Sequence, residues 1–180
     1  MKIAVIGFSG GGKSTLARRL GELYGVEVLH LDTVHHLSGW KSRLREESRA
    51  MVEAFLNTHD TSGWVIDGNY GKLAYDRRME EADRIVMLLL NRLDCLQRVC
   101  RRYRTYRGSS RPDMTEGCRE KLDAAFIRWI LYEGRRGEQR ALLQKVMRRY
   151  KNKLVCLRSQ RDIDRYWKQC TAAEALPVPK

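Results

Sequence analysis

The chain has 180 residues, 43% of them hydrophobic, and its 35 basic and 22 acidic side chains give a formal net charge of +13. This length favours a single domain over residues 1–180 with a core that needs no disulfide staples, and the five cysteines form no C-x-x-C pair. No stretch reaches transmembrane length and no signal peptide precedes the first apolar run, so we expect a reduced, cytoplasmic protein without membrane partners.

The N-terminal segment places a short apolar strand, "KIAVI", directly before the glycine-rich sequence "GFSGGGKST". From Gly7 to Ser14 this sequence matches G-x-x-x-x-G-K-[ST], the loop whose backbone N–H groups wrap a phosphate. Residues 13–24 then carry leucines at helical spacing and stop at Gly25. A strand, a glycine loop and a helix N-terminus in this order form a donor-rich anion site.

We therefore predict that the chain binds ATP and Mg²⁺. The predicted nucleotide-binding residues of the loop are Gly7, Ser9, Gly10, Gly11, Gly12, Lys13, Ser14 and Thr15, with the Ser14 hydroxyl on the metal. No N-K-x-D motif occurs and no D-x-x-G follows the third apolar run, which argues against a GTPase. Adenine is therefore favoured over guanine. The four histidines show no metal-ligand spacing, so we expect structural or solvent roles for them.

Apolar runs alternate with amphipathic stretches along the rest of the chain. The predicted strands after "KIAVI" are "VEVLHL", "WVI", "RIVMLLL" and "LVCL", and the predicted helices after the first lie near residues 43–58, 73–81, 92–106, 118–133, 137–150 and 162–169. This alternation is typical of a parallel α/β sheet, in which ligands bind at the carboxyl ends of the strands. The residues that follow each strand are thus candidates for the site.

Asp32 follows the second predicted strand, and Asp67-Gly68-Asn69-Tyr70 follows the third. Each aspartate has three candidate functional roles: magnesium partner, base for an acceptor hydroxyl, or acceptor-binding group. An aspartate at a strand end also commonly caps a helix or a turn. We assign Asp32 to the acceptor and the metal, and the segment from Asp67 to Tyr70 to substrate binding.

The segment from Arg98 to Arg111 contains six arginines and no acidic residue. At helical spacing, Leu93, Leu96, Cys100 and Tyr103 share one face, which we expect to pack, and Arg98, Arg101 and Arg102 cluster opposite. Guanidinium groups bind phosphate bidentately, so this cluster as a whole is predicted to bind phosphate groups.

The sequence "RGSSRPDMTEG" after this helix is short, polar and flanked by glycine. It favours a mobile lid whose Arg107 and Arg111 fold over a triphosphate and neutralise charge on the transferred group. The alternative is a plain surface loop with a turn at Pro112.

The glycine loop, "HLD", "WVIDGNY", the arginine helix and above all "YRGSSRPDMTEGCREKLD" followed by "FIRWI" resemble the DNA topology modulation protein (FlaR-like) family. The layout also resembles adenylate kinase and other nucleoside monophosphate kinases more distantly. Asp67-Gly68-Asn69-Tyr70 is similar to their acceptor motif D-G-F-P-R without the proline and arginine. Arg98 and Arg102 match the spacing of their arginine pair, which implies that both contact the nucleotide and that Arg102 acts in catalysis.

This resemblance implies a three-layer P-loop NTPase fold of the nucleoside/nucleotide-kinase type, with a central five-stranded parallel sheet. It further implies an acceptor-binding segment near 33–62 and a short lid near 105–118. Only the last residues, about 171–180, suggest a loose tail. The expected activity is transfer of the γ-phosphoryl group of ATP to a small acceptor such as a nucleoside or nucleotide. Its catalytic residues would be Lys13, Asp32, Arg102, Arg107 and Arg111.

Two alternatives to a kinase remain open: an ATP-responsive DNA-binding protein and a P-loop hydrolase or regulator. Residues 1–90 carry 12 basic and 12 acidic side chains, whereas residues 91–180 carry 23 and 10, so the second half holds the whole charge excess. Nucleic acid is therefore a candidate partner of the second half, although acidic neighbours on the predicted helices also fit a solvated surface.

Overall fold

Five parallel strands form the centre of the computed structural model, which describes residues 1–174. The strands in chain order are β1 (Lys2–Gly7), β2 (Glu27–His30), β3 (His36–Leu37), β4 (Lys41–Ser42), β5 (Trp64–Asp67), β6 (Arg84–Leu88) and β7 (Leu154–Leu157). The main sheet has the order β2-β5-β1-β6-β7, and the short strands β3 and β4 pair separately as an antiparallel ribbon. The prediction of a central five-stranded parallel sheet is confirmed.

Helices cover both faces of this sheet. They are α1 (Lys13–Tyr24), α2 (Leu31–His35), α3 (Arg45–Thr58), α4 (Tyr75–Glu81), α5 (Arg92–Thr105), α6 (Ala124–Leu131), α7 (Gly137–Arg149) and α8 (Gln160–Glu174). Short 3-10 helices occupy Ser38–Trp40, Glu133–Arg135 and Lys151–Lys153. None of the helices within residues 1–174 is both long enough and apolar enough to cross a bilayer.

The period-2 alternation of side chains along β1 separates two hydrophobic cores. Ala4 and Ile6 pack under α3, α4 and α7, whereas Ile3 and Val5 pack under α1, α5 and α8. All four side chains are fully buried because a central parallel strand is covered on both faces. The molecule therefore has three layers, helix on sheet on helix.

Several predicted boundaries differ from the structure. The second strand ends at His30 because the buried Leu31 already begins α2. The helix predicted to start near residue 118 starts at Ala124, where the Asp123 carboxylate caps it by accepting the Phe126 N–H. The predicted tail was wrong for residues 171–174, which continue α8 beyond the buried Cys170, and its remainder, 175–180, lies outside the described residues.

The predicted packing face of α5 was wrong in part, although Leu96 does pack against the core. Cys95 and Val99 are the buried residues of this helix, while Leu93 is 73% exposed. The glycine loop lies closely against this face of the helix, because a Cβ atom on Gly10 would lie 2.7 Å from the Cys95 carbonyl oxygen and 2.9 Å from a Val99 methyl group. The loop thus packs directly on α5, and this turns Arg98 and Arg102 toward the site.

Candidate active site

A cavity of about 1000 Å³ lies at the carboxyl ends of β1, β2 and β5. It brings together most of the predicted site residues: Ser9, Gly10, Gly12, Lys13, Ser14, Thr15, Asp32, Asp67, Gly68, Asn69, Tyr70, Arg98, Arg102 and Arg111. Three predicted residues do not line it. Gly7 and Gly11 pack against the Leu88 segment of β6, and Arg107 is exposed outside the cavity.

The glycine loop has the backbone form of an anion cradle. Gly12, in the left-handed region at φ 95°, is the N-cap of α1, so the chain enters the helix with its amides directed into the loop. The loop closes on itself through the Gly11 N–H, which donates to the Phe8 carbonyl oxygen at 3.1 Å. Lys13 Nζ donates to the same oxygen at 3.3 Å, which holds the ammonium group inside the loop.

These residues fit a nucleotide triphosphate and its magnesium ion. The first-turn amides of α1 have no acceptors within the helix, and no acidic side chain occupies that turn. The Ser14 hydroxyl lies in the same turn and in the cavity lining. No group of three or more His, Cys, Asp or Glu residues within 1–174 is arranged to hold a metal ion by itself.

Asp32 faces the cavity from α2, opposite the glycine loop. The Tyr70 hydroxyl donates to Asp32 Oδ1 at 2.7 Å, which orients the carboxylate. Burial raises the pKa of Tyr70, and the negative charge of Asp32 raises it further. Tyr70 therefore stays a hydrogen-bond donor to Asp32, which lines the cavity.

His30 and Asp67 form a second pair at neighbouring strand ends. His30 Nδ1 lies 3.1 Å from Asp67 Oδ2, and both residues line the cavity. Burial disfavours the charged imidazole, but the hydrogen bond and the charge of Asp67 outweigh it, so the pKa of His30 is raised. The sequence interpretation missed His30, although its position two residues before Asp32, at the end of a predicted strand, was a usable signal.

Asn69 connects the acceptor side to the glycine loop. Its Oδ1 accepts the Gly7 N–H at 2.9 Å, and its Nδ2 donates to the Gly7 carbonyl oxygen at 2.8 Å. This two-point bond fixes the end of β1 relative to the residues after β5. Asn69 thereby aligns the two halves of the site, in addition to lining the cavity.

Arg98 binds protein groups on both sides of the loop. Its Nη1 donates to the Gly11 carbonyl oxygen at 2.7 Å, and its Nη2 contacts Gln160 Oε1 at the start of α8. The guanidinium group thus joins the glycine loop to the start of α8 at this end of the cavity. Trp129 of α6 reaches the same end, where its Nε1 donates to Ser9 Oγ at 3.1 Å.

The α5–α6 connection (residues 106–123) carries a buried ion-pair cluster. Glu120, whose side chain is 2% exposed, accepts from Arg102 Nε at 2.7 Å through Oε1. Arg111 Nε lies 2.7 Å from Glu120 Oε2 without hydrogen-bond alignment, and Arg111 Nη1 donates to Asp113 Oδ2 at 2.8 Å. Burial, together with the neighbouring Arg111, lowers the pKa of Arg102.

The same connection packs against the segment after α2. Thr115 Oγ1 donates to the His36 carbonyl oxygen at 2.6 Å, and Trp40 Nε1 donates to the Arg119 carbonyl oxygen at 2.9 Å. These contacts join the predicted lid and the predicted acceptor-binding segment over the cavity. Whether residues 105–118 move as a lid stays a prediction.

Known structures share this architecture. Shikimate kinase from Bacteroides thetaiotaomicron superposes with a TM-score of 0.50 at 17% identity, covering 98% of this chain and 99% of that one. Deoxyadenosine kinase from M. mycoides gives 0.51 at 13% identity, covering 96% and 100%. An uncharacterized protein from Eubacterium ventriosum gives 0.52 at 13% identity, covering 98% and 100%.

At these identities the likeness shows the fold, which is that of P-loop kinases. No family model matches the chain, and no curated protein matches it. The finer resemblance to the DNA topology modulation family therefore stays a prediction from the sequence.

Proposed function

We propose that the chain is a kinase that transfers the γ-phosphoryl group of ATP to the hydroxyl group of a small acceptor. One observation carries the proposal: a single cavity joins the cradle around Lys13 to the Asp32–Tyr70 pair on the opposite side. Phosphoryl transfer needs this division, with donor phosphates held at one end and an oriented hydroxyl at the other. The P-loop kinase fold supports it. The proposal places the activity in the cytoplasm, where free cysteines stay reduced.

The nucleotide end would hold the donor. The loop amides and the Lys13 ammonium would bind the β- and γ-phosphates, and the Ser14 hydroxyl would hold Mg²⁺, with Asp32 as its further partner. The metal supplies charge neutralisation on the phosphate oxygens when it is bound. Arg98 and Arg102 would bind nucleotide phosphates from α5, and Arg107 and Arg111 stay proposed as charge-neutralising groups of the lid.

The acceptor end would orient the attacking hydroxyl. The Asp32 carboxylate would accept its hydrogen bond and take its proton as transfer proceeds, while Tyr70 holds the carboxylate in place. The segment from Asp67 to Tyr70 would line the acceptor. Suitable acceptors are nucleosides, nucleotides and similar hydroxyl compounds. Two kinases with this fold are named for small hydroxyl compounds, shikimate and deoxyadenosine.

A transfer assay with γ-labelled ATP tests the proposal. It measures loss of the γ-phosphate in the presence of Mg²⁺ and a panel of nucleosides, nucleoside monophosphates and small ring alcohols. We expect transfer to at least one acceptor. An Asp32→Asn variant should lose about 100-fold or more in turnover, because it removes the base and the charge of a metal partner, while it keeps ATP affinity because the loop amides and Lys13 are unchanged. Lys13→Ala should lose ATP binding as well.

The matched control is Asp76→Asn, because Asp76 pairs with Lys145 on the surface, away from the cavity. It should keep full turnover. Full turnover in Asp32→Asn would refute the role of Asp32. Tight ATP binding without transfer to any acceptor would contradict the kinase proposal and favour the nucleotide-gated DNA-binding alternative.

A further inference from the structure

Trp129, the tryptophan of "FIRWI" on α6, contacts the glycine loop directly. Its Nε1 donates to Ser9 Oγ at 3.1 Å, and both residues line the cavity. An indole N–H group can only donate, so the Ser9 oxygen accepts this bond and the Ser9 hydroxyl proton stays available. Within residues 1–174, no group accepts that proton. The contact therefore leaves Ser9 as a hydrogen-bond donor in the lining of the cavity.

Gly134, in the 3-10 helix after α6, leaves the space that the Trp129 indole occupies. A Cβ atom at this position would lie 2.7 Å from Trp129 Nε1 and 2.9 Å from its Cε2 atom. The φ of Gly134 is not in the left-handed region, so close approach and not backbone conformation requires the glycine. A side chain at this position would displace the same indole nitrogen that binds Ser9.

Arg135, the next residue, contacts the other side chain at this corner of the glycine loop. Its guanidinium carbon lies 4.0 Å from the centroid of the Phe8 ring. The Phe8 carbonyl oxygen in turn accepts a hydrogen bond from Lys13 Nζ at 3.3 Å. The end of α6 and the turn after it thus hold two adjacent loop residues, Phe8 through its ring and Ser9 through its hydroxyl.

We propose that Trp129 is a positioning residue for the donor nucleotide, because it orients the Ser9 hydroxyl so that its O–H group donates to a phosphate oxygen of ATP. The inference rests on the nucleotide-binding part of the proposed function and extends it to α6. A hydroxyl that accepts one hydrogen bond becomes a stronger donor of another, and a bond to an anionic oxygen belongs to the stronger class. Trp129 therefore acts on the nucleotide through Ser9.

Calorimetric titration of the full chain with Mg²⁺ and a non-hydrolysable ATP analogue tests this inference without requiring transfer. Ser9→Ala should weaken binding by about tenfold, because it removes a hydrogen bond to a charged oxygen. Trp129→Phe keeps an aromatic ring but removes the N–H group that orients the hydroxyl, so it should weaken binding by about fivefold. In the Ser9→Ala background, Trp129→Phe should change the affinity by less than about twofold, because the partner of its N–H group is already gone.

Tyr132→Phe is the matched control. It removes one polar group from an aromatic side chain at the end of α6, outside the cavity lining, and should leave the affinity unchanged. Unchanged affinity in Trp129→Phe would overturn the inference. An equal loss with and without the Ser9 hydroxyl would also overturn it, since Trp129 would then act independently of Ser9.

Urea unfolding of the same variants separates positioning from a purely structural role. A purely structural role would lower the unfolding midpoint of Trp129→Phe and leave the affinity of the folded chain for the ATP analogue unchanged. We expect the reverse, a loss of affinity with a midpoint close to that of Tyr132→Phe. Failure of the parent chain to bind the analogue would overturn the proposed function together with this inference. Binding without transfer to any acceptor would contradict the kinase proposal alone.

Discussion

Arg78 carries a fully buried guanidinium group that holds the loop after β5 in place. It donates to the carbonyl oxygens of Leu73, Gly68 and Tyr70 at 2.9, 3.1 and 2.9 Å. Burial lowers its pKa to about 10, which still leaves it charged at neutral pH. The loop after β5 owes its form to these three bonds, since no regular secondary structure satisfies those carbonyl groups.

The pKa values of two histidines that line the cavity are shifted in opposite directions. Burial, helped by the neighbouring His35 and opposed by Asp32, lowers the pKa of His36, whose buried Nδ1 has no hydrogen-bond partner among the described residues. The pKa of His30 is instead raised above its ordinary value by Asp67. His36 should therefore contribute stability that is present above about pH 6.5 and lost as pH falls below it. His30 should contribute stability that is present below about pH 6.5 and lost as pH rises above it.

Urea unfolding between about pH 5.5 and 7.5 measures these contributions. The free energy of unfolding should decline less steeply below about pH 6.5 in His36→Gln than in the parent chain, because the unfolded state no longer gains that proton. His30→Gln should flatten the curve on the alkaline side instead. Parallel curves for the parent chain and His36→Gln would show that His36 does not titrate differently in the two states.

At the scale of elements, the α5–α6 connection owes its position to one carboxylate. Glu120 neutralises Arg102 from α5 and Arg111 from the connection, and its side chain is 2% exposed. Without it, two guanidinium groups would face each other in a largely buried place. The irregular segment from 106 to 123 thus has an ionic centre, which explains how a stretch without helix or strand packs over the cavity.

The variant Glu120→Gln should destabilise the chain by about 3 kcal/mol, because it leaves two paired cations without their common anion. Chemical denaturation measures this loss as a lower midpoint at unchanged slope. Glu116→Gln in the same segment changes an exposed carboxylate and should stay within about 0.5 kcal/mol of the parent chain. Equal stability of the two variants would show that Glu120 does not stabilise the connection.

At the scale of the whole molecule, the basic second half is partly neutralised by the acidic side chains of α4. Lys145 and Arg149 of α7 pair with Asp76 and Glu80, each at 2.6 Å. Lys153 binds the carbonyl oxygens of Glu80 and Ala82. Part of the charge excess that suggested nucleic acid therefore holds α7 and the segment before β7 against α4.

We expect only weak, sequence-independent binding to duplex DNA, with a dissociation constant no tighter than about 1 µM at physiological salt. Fluorescence anisotropy across a salt series measures both the affinity and the salt slope. Replacing Arg148, Arg149 and Lys151 by glutamine should flatten that slope by about 2 units rather than 3, because Arg149 is already paired with Glu80. Nanomolar binding at physiological salt would restore DNA as a primary partner.

The amino-acid sequence by itself determined the fold class and the place of the glycine loop in it. The spacing from Gly7 to Ser14 and the apolar runs are local patterns, and local patterns suffice because the loop and the buried parallel strands are each built from contiguous residues. The strand-end rule also placed Asp32 and the segment from Asp67 to Tyr70 at one edge of the sheet, where the cavity lies.

Only the tertiary structure decided which side chains pair with one another around the cavity. Tyr70 and Asp32 are 38 residues apart in the sequence, and His30 and Asp67 are 37 residues apart. No periodic pattern in the chain could therefore predict either pair. The orientation of α5 depends on contact with Gly10, and the state of Arg111 depends on Glu120. Residue types and spacings predict which groups carry charge, but packing chooses their partners, because desolvation and hydrogen bonding act on groups that meet only after folding.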